Sequence, residues 1–319
     1  MPRVAYTAAG FPAPFLAVNG AADLQLGWPL LVWAAISVGK AELLHITRYG
    51  QFSLFEIAYR GAMIFANLVE DGAGRFARSA AYDGLDPSEK GAISYFLGLT
   101  IAKAFAENLL QVPWLMHLDV YRDELRVVLK GKSRPDLVGQ TAAREWIAIE
   151  SKGRSNSFDA EALDRAKSQA GMLGSVDGQV PAALAGMVTY FGDNQLQLTV
   201  SDPPPRDRHE RVHLPLTRSK LLAGYYRPFR AWLEGEPQAH AIERGDTTYV
   251  VAQVDSVDLT VGLAMDFRAD KLPQSDIEAR RPSHGLSYYA GSDGILVEVG
   301  PLWSLENMRR EPQERSRGV

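Results

Sequence analysis

The segment RPDLVGQTAAREWIAIESKG, residues 134–153, contains two short runs rich in β-branched residues, which indicate neighbouring strands. The second run ends at Glu150, Ser151 and Lys152. In an extended strand alternate side chains share a face, so Glu150 and Lys152 point to one side and Ser151 to the other. A neighbouring strand with Asp136 at its end can bring a second carboxylate beside Glu150. The sequence therefore predicts two acids and a lysine at the ends of adjacent strands.

Such a group of residues suits a metal site. Neighbouring carboxylates repel each other, and the pKa of one rises unless a cation lies between them. Hard oxygen ligands suit Mg²⁺ or Mn²⁺, supplemented by water molecules and by the backbone carbonyl of Ser151. Lys152 can help to activate a water molecule or neutralise the charge on a phosphate. Simpler interpretations stay open, since Pro-Asp is common at turns and Glu-Ser-Lys suits a solvated strand end.

The sequence before this segment has the period of helices. Apolar residues recur at three- and four-residue spacing in residues 30–50 and 53–72, and both stretches stop at glycine. A third helix is predicted for residues 85–113, where Asp86 can cap the N-terminus and Glu89 can complete a capping box. The N-terminal region is therefore expected to be helical.

The sequence on either side of the opening segment also contains strands. Residues 125–130 predict a further strand, residues 155–174 a helix, and residues 181–191 and 195–200 two strands joined by a turn. Three prolines make residues 201–208 the best linker candidate. The expected fold class is α/β (α+β). The expected regions are a helical N-terminal region at 1–85, a core at 86–200, an α/β C-terminal extension at 201–308 and a disordered tail at 309–319.

The sequence "RPD" followed by an apolar strand ending in "ESK" resembles the signature of the PD-(D/E)XK nuclease superfamily, which has the restriction-endonuclease-like fold. The resemblance covers roughly residues 87–191, in the order helix, three-strand meander, helix, strand. It implies a mixed sheet flanked by helices. By this resemblance Asp136 is the first acid, Glu150 the second and Lys152 the catalytic lysine. A Mg²⁺ or Mn²⁺ ion would be held by the two acids and the Ser151 carbonyl.

The resemblance also implies further site residues on the flanking helices. The family often has an acid on the preceding helix, and Glu107 is the candidate, although it could instead pair with Lys103 one turn earlier. A polar residue on the following helix is also common, and Gln169 fits that place. A longer family pattern has a tyrosine four residues after this glutamine, where Leu173 stands in this chain.

The charges of the chain limit how it can meet a nucleic acid. The formal net charge is -4, so a nucleic-acid partner would need a local basic patch. Arg154, Arg165 and Lys167 lie near the predicted site in sequence and are the candidates for binding phosphates. Charged helix faces are usually only solvated, and that alternative stays open.

The composition also restricts the class of protein. Cysteine is absent, which excludes disulfides and thiolate zinc sites and fits a reducing cytoplasm. The most apolar stretch, residues 28–38, is too short to span a bilayer, and no signal-peptide pattern stands out. We therefore expect a cytoplasmic protein with no membrane partner.

A rival motif is HERVH, residues 209–213, which matches the H-E-x-x-H pattern of zinc peptidases. That chemistry requires a helix, with both histidines on one face and the glutamate as general base. Prolines lie on both sides, and the alternation in RVHLPL favours a strand. We expect strand or loop here, without zinc. His117 and Asp119 are likewise interpreted as part of a strand rather than as metal ligands.

The sequence thus favours a metal-dependent nuclease that hydrolyses phosphodiester bonds in DNA, in the setting of restriction, repair or antiviral defence. DNA is the expected partner, and a protein partner or a homodimer stays open. Two alternatives belong to other classes of protein. One is a catalytically inactive binding protein that retains the nuclease fold, and the other is a zinc peptidase that uses HERVH.

Overall fold

A computed structural model describes residues 1–38, 52–118, 134–202, 211–267 and 277–309, and shows a mixed α/β fold there. The strands of its nine-stranded sheet are β1 (Arg3–Ala9), β2 (Gly20–Gln25), β3 (Leu68–Glu70), β4 (Phe76–Arg78), β5 (Trp114–His117), β6 (Leu137–Gln140), β7 (Trp146–Gly153), β9 (Ala183–Gly192) and β10 (Gln195–Ser201). A two-stranded pair is formed by β8 (Leu173–Val176) and β11 (Val212–Leu214).

A six-stranded antiparallel sheet follows in the last third of the chain. Its strands are β12 (His240–Arg244), β13 (Thr247–Val254), β14 (Leu259–Ala264), β15 (Ser283–His284), β16 (Tyr288–Ala290) and β17 (Ile295–Val299). The helices are α1 (Trp28–Ser37), α2 (Phe52–Asn67), α3 (Ala80–Asp83), α4 (Pro87–Leu109), α5 (Ala160–Ala170), α6 (Arg218–Gly235) and α7 (Leu305–Met308).

The nine-stranded sheet contains the segment at 134–153. Its strand order is β2-β1-β10-β9-β7-β6-β5, and the hairpin of β3 and β4 joins β10. The strands β5, β6 and β7 form an antiparallel meander, and β7 then pairs in parallel with β9. The helix α5 makes the crossover that this parallel pair requires. Residues 125–130, expected to form a strand, lie outside the described residues.

The expectation of a helical N-terminal region is only partly confirmed, because four strands lie there beside α1, α2 and α3. The strand β1 pairs in parallel with β10, so residues before the predicted core extend its sheet. The sequence RVAYTAA alternates between buried and more exposed residues, and Val4, Tyr6 and Ala8 are the buried ones. This two-residue period is the pattern of a half-buried strand. The domain boundaries themselves stay a prediction.

Glycines allow α4 and α5 to lie close against opposite faces of the sheet. A Cβ atom on Gly153 of β7 would lie 1.7 Å from the Ser94 carbonyl oxygen of α4. A Cβ atom on Gly186 of β9 would lie 2.5 Å from the Lys167 backbone nitrogen of α5. The capping box at the start of α4 is confirmed, because Asp86 accepts hydrogen bonds from two backbone nitrogens of the first turn.

The helix α1 joins the two large sheets. All ten of its residues are buried. It packs against α4 on one side and against β16 and β17 on the other. Apolar side chains of both sheets consequently belong to one continuous core.

Two further expectations fall partly outside the described residues. These are the proline-rich linker, of which residues 203–208 are not described, and the tail from residue 310 onward. Among the helices that are described, none has the length and apolar character needed to cross a membrane.

Replacement of Gly153 by alanine tests the close packing of α4 on β7. The added methyl group would overlap the Ser94 carbonyl, and overpacking of this kind typically lowers the free energy of unfolding by about 1–3 kcal/mol. A matched control is Gly91→Ala on α4, where a Cβ atom meets nothing within 4 Å. The control should stabilise the protein by roughly 0.5–1 kcal/mol. Urea denaturation measures both, and equal effects would contradict the packing.

Candidate functional site

Asp136 and Glu150 lie opposite each other on adjacent strands. Asp136 comes directly before β6, and Glu150 lies near the end of β7. In the antiparallel register Leu137 pairs with Ile149, so the next residues outward, Asp136 and Glu150, also lie side by side. Opposed residues share one face of a sheet, which brings the two carboxylates to the same side.

Reciprocal hydrogen bonds hold the two carboxylates. The Asp136 backbone nitrogen donates to Glu150 Oε2 at 2.9 Å, and the Ser151 backbone nitrogen donates to Asp136 Oδ2 at 3.2 Å. Lys152 Nζ donates to Glu150 Oε1 and forms an ion pair with it. The side chain of Glu150 is fully buried, whereas that of Lys152 is 31% exposed. The Lys152 side chain therefore lies between the buried Glu150 carboxylate and solvent.

The surroundings of Glu150 disfavour its charge. Burial, followed by the nearby carboxylate of Asp136, raises the pKa of Glu150 from 4.5 to about 7, although Lys152 acts in the opposite direction. Near neutral pH this carboxyl group is therefore balanced between its protonated and ionised forms. A cation placed between the two acids would favour the ionised form.

The acids fit a hard divalent cation with an incomplete protein shell. No described part of the chain gathers three or more His, Cys, Asp or Glu side chains around one metal position. Mg²⁺ is usually bound by one or two carboxylates and keeps several waters, so Asp136 and Glu150 suffice for it. The paired placement of Asp136 and Glu150 is the observation that favours a cation here, because a cation would relieve the repulsion that, after burial, raises the pKa of Glu150. The Ser151 carbonyl as a further ligand stays a prediction.

The structure does not bring Glu107 to this site. Glu107 lies on α4, and α4 packs on the face to which Ser151 points, because Ser151 Oγ lies 3.1 Å from the position of a Cβ atom on Gly98. The carboxylate of Glu107 instead accepts hydrogen bonds from the Ser292 nitrogen and hydroxyl, both at 2.7 Å, and from the Tyr289 hydroxyl at 3.2 Å. It is thus across the sheet from the two paired acids.

Gln169 lies on the same side of the sheet as the paired acids. It belongs to α5, which covers the face of β9 at Gly186, the register partner of Glu150. Gln169 is half-buried beside the buried residues Ala166 and Ala170. This placement is compatible with its predicted role and does not test that role.

The three predicted phosphate-binding residues all contact acids. The ion pairs are Arg154–Asp159 at 3.2 Å, Arg165–Asp159 at 3.6 Å, Arg165–Glu161 at 3.4 Å and Lys167–Asp164 at 3.0 Å. Their positive charges are therefore partly neutralised. Surface ion pairs are weak, however, and Arg side chains bind phosphates with two parallel hydrogen bonds, so a phosphate can replace a carboxylate here.

The HERVH motif does not have the helix that zinc peptidase chemistry requires, as far as the chain is described. His213 lies on the strand β11, and its Nδ1 atom is 2.7 Å from the Ser175 hydroxyl. His209 and Glu210 lie outside the described residues. His117 lies on β5, as expected, and Asp119 is not described.

Two aromatic residues lie on the face of the sheet that carries Glu150 and Lys152 (the site face), and neither was predicted from the sequence. Tyr190 of β9 lies two residues beyond Val188, the register partner of Lys152, and alternate residues share a face. Phe158, which precedes α5, packs on Tyr190 with ring centroids 5.5 Å apart. The alternation along β9 is the signal that could have identified Tyr190, whereas the position of Phe158 depends on the loop before α5.

Glu150 should make the stability of the metal-free protein depend on pH. Between its ordinary pKa of 4.5 and about 7 the folded state binds more protons at this position than the unfolded state, so the free energy of unfolding should fall as pH rises. Glu150→Gln should remove this fall in the free energy of unfolding, which amounts to at most about 3 kcal/mol. Urea denaturation at pH 4 to 8 in EDTA measures the difference between the two proteins.

A control for this pH dependence is Asp202→Asn. Asp202 is also buried, and burial raises its pKa to about 6. Its contribution to the fall in the free energy of unfolding should therefore end near pH 6, so Asp202→Asn should leave the fall between pH 6 and 7 in place. The same pH dependence in Glu150→Gln and in wild type would show that Glu150 is not destabilised by its surroundings.

The comparisons with known proteins give no match: no family model, no curated protein and no solved structure is similar to the chain. What the protein can do is therefore inferred from the chemistry of residues 136–154.

Proposed function

We propose that this chain is a Mg²⁺-dependent nuclease that hydrolyses phosphodiester bonds in DNA. The observation that carries the proposal is that the segments of Asp136 and Glu150 bind each other by reciprocal hydrogen bonds. Lys152 donates to Glu150 from the solvent side of this pair. An acid pair that only stabilised the fold would gain nothing from mutual repulsion, because repulsion raises the energy of the folded state.

The order of elements around the acids supports a restriction-endonuclease-like core. The helix α4 is followed by the meander β5-β6-β7, by α5 on the other face, and by β9 in parallel with β7. This is the order that the resemblance to the PD-(D/E)XK superfamily implies. The long N-terminal addition of β1 and β2 to the sheet is a feature of this chain that the resemblance does not explain.

Each residue has a distinct task in the proposed reaction. Asp136 and Glu150 would hold the Mg²⁺ ion, which supplies charge stabilisation at the attacked phosphate when it is bound. Lys152 places an ammonium group between the buried Glu150 carboxylate and solvent, so that it can neutralise developing negative charge on the phosphate. Water attacks phosphorus and releases a proton to the surrounding solvent, while the bond to the leaving sugar oxygen breaks and that oxygen takes up a proton from solvent to leave as a hydroxyl group.

A second candidate is a binding protein with this fold and no catalysis. The ion pair between Lys152 and Glu150 favours it, because a lysine held by a buried acid can serve the fold alone. Restriction, repair and antiviral defence remain proposed settings for the nuclease, and cytoplasmic location and any protein partner remain proposals as well.

Lys152→Ala should lower the rate of DNA cleavage by roughly a hundred- to thousand-fold, which is the usual loss on removing one such electrostatic group. Plasmid, linear and single-stranded DNA would be incubated with purified protein and Mg²⁺, Mn²⁺ or EDTA. Lys90→Ala is the control, because Lys90 lies at the exposed start of α4 and donates to the Asp83 carbonyl. Cleavage by Lys152→Ala at the wild-type rate would show that Lys152 is only a strand-end residue.

Asp136→Asn should weaken metal binding rather than remove a group beside the phosphate. We expect Mg²⁺ to raise the melting temperature of the wild type and to have a much smaller effect on this variant, since one of two anionic ligands is lost. High Mn²⁺ should restore part of its activity. Absence of both cleavage and a Mg²⁺-dependent melting shift in the wild type would favour the non-catalytic candidate.

A further inference from the structure

The site face continues beyond Lys152 toward the aromatic pair Phe158–Tyr190. Alternate residues of an extended chain share a face, so the side chain of Arg154 follows those of Glu150 and Lys152. The Arg154 backbone nitrogen donates to the Thr189 carbonyl at 2.8 Å, which brings this arginine next to Tyr190. An acid, a lysine, an arginine and two aromatic rings thus follow one another on one side of the sheet.

Phe158 is not needed to complete the core beneath it. Its side chain remains 41% exposed although it packs on Tyr190, with an angle of 55° between the rings. The N-terminus of α5 is capped by Asp159, which accepts a hydrogen bond from the Ala162 nitrogen at 3.1 Å, so Phe158 does not form the cap. A large aromatic residue is therefore substantially exposed beside the candidate site.

The sheet surface next to Tyr190 is open and forms a shallow cleft. This cleft has a volume of about 340 Å³, and its floor consists of small residues of β1 and β2. Tyr190 and Gln197 border it on one side and Asp23 on the other. The charge of Asp23 is balanced by Arg3 at 3.5 Å and Arg75 at 3.3 Å. Among the described residues that line this cleft, Asp23 is the only acid, and its charge is thus compensated by the two arginines.

We infer that Phe158 and Tyr190 form a stacking platform for the bases of an unpaired nucleic-acid strand, whose phosphates lie toward Arg154 and Lys152. The inference rests on the proposed function, because that function identifies the ligand as nucleic acid. Aromatic side chains stack on bases whose faces are free, and in a duplex those faces are covered by neighbouring base pairs. The substrate class is therefore nucleic acid with a single-stranded segment next to the cleaved bond.

Binding in EDTA separates this inference from catalysis. The probes are a fluorescein-labelled oligodeoxythymidine and a blunt duplex of equal length, titrated with the full chain and followed by anisotropy. Phe158→Ala should weaken single-strand binding by about tenfold or more, the range expected for loss of one stacked base, and leave duplex binding unchanged. Phe158→Trp should keep wild-type affinity, since it retains a stacking face.

Two further variants serve as controls, one for an effect on folding and one for the specificity of the effect. Phe158→Leu keeps apolar bulk over Tyr190 without a ring, so it should fold and still bind the single strand weakly. Tyr59→Ala is the control for exposed aromatic residues elsewhere, because Tyr59 is 47% exposed on α2 and should not affect binding. Melting curves verify that each variant is folded.

The outcomes distinguish this inference from the proposed function. Wild-type affinity in Phe158→Leu and Phe158→Ala, or no single-strand binding by the wild type, would overturn the platform, while cleavage of plasmid with Mg²⁺ would leave the nuclease proposal intact. Single-strand binding that depends on Phe158, in a protein that cleaves no DNA, would support the platform and reject the nuclease.

Discussion

The close approach of two helices to β7 and β9 determines the geometry of the candidate site. Glycine stands at a point of close contact with each helix, and an added Cβ atom on Gly153 or Gly186 would overlap backbone atoms of α4 or α5. With both helices held this tightly, each face of β7 has a fixed neighbour. Ser151 points to α4, and Glu150 and Lys152 point to the face that α5 shares. The position of Glu150 and Lys152 on the face opposite α4 thus follows from backbone packing.

This packing leaves Glu150 buried, which is costly for a charged group unless partners compensate. Two partners reduce the cost, the Asp136 backbone nitrogen and the Lys152 ammonium group, and the proposed Mg²⁺ ion would be a third. Asp136 directly precedes β6, and Glu150 and Lys152 lie on β7, so the backbone register of these two strands brings the three residues together. Stability and the proposed function are consequently linked at this point.

The sequence predicts those parts of the fold that depend on local patterns. Capping residues and apolar spacing identify α4, and short β-branched runs identify β6, β7, β9 and β10, so the pairing of Asp136 with Glu150 could be anticipated. Parallel pairing of β1 with β10 could not, because nearly the whole core separates them in sequence. The partner of Glu107 is equally distant, since Ser292 lies 185 residues further along the chain. An acid on an apolar helix face predicts a buried partner without saying which one.

Burial of an acid does not by itself mark a reactive site, as a second acid–lysine group in this protein shows. Burial raises the pKa of Asp293 to about 6, and the nearby ammonium group of Lys103 lowers it. Asp293 accepts hydrogen bonds from Trp33 and Tyr225, and Lys103 Nζ lies 4.5 Å from the Trp33 ring centroid. Both charged residues are fully enclosed, so no substrate can reach them. The group instead joins α1, α4 and α6 to the six-stranded sheet. Around Glu150 the chemistry is similar, but Lys152 extends to solvent, and that access is what makes a catalytic role reasonable there and not at Asp293.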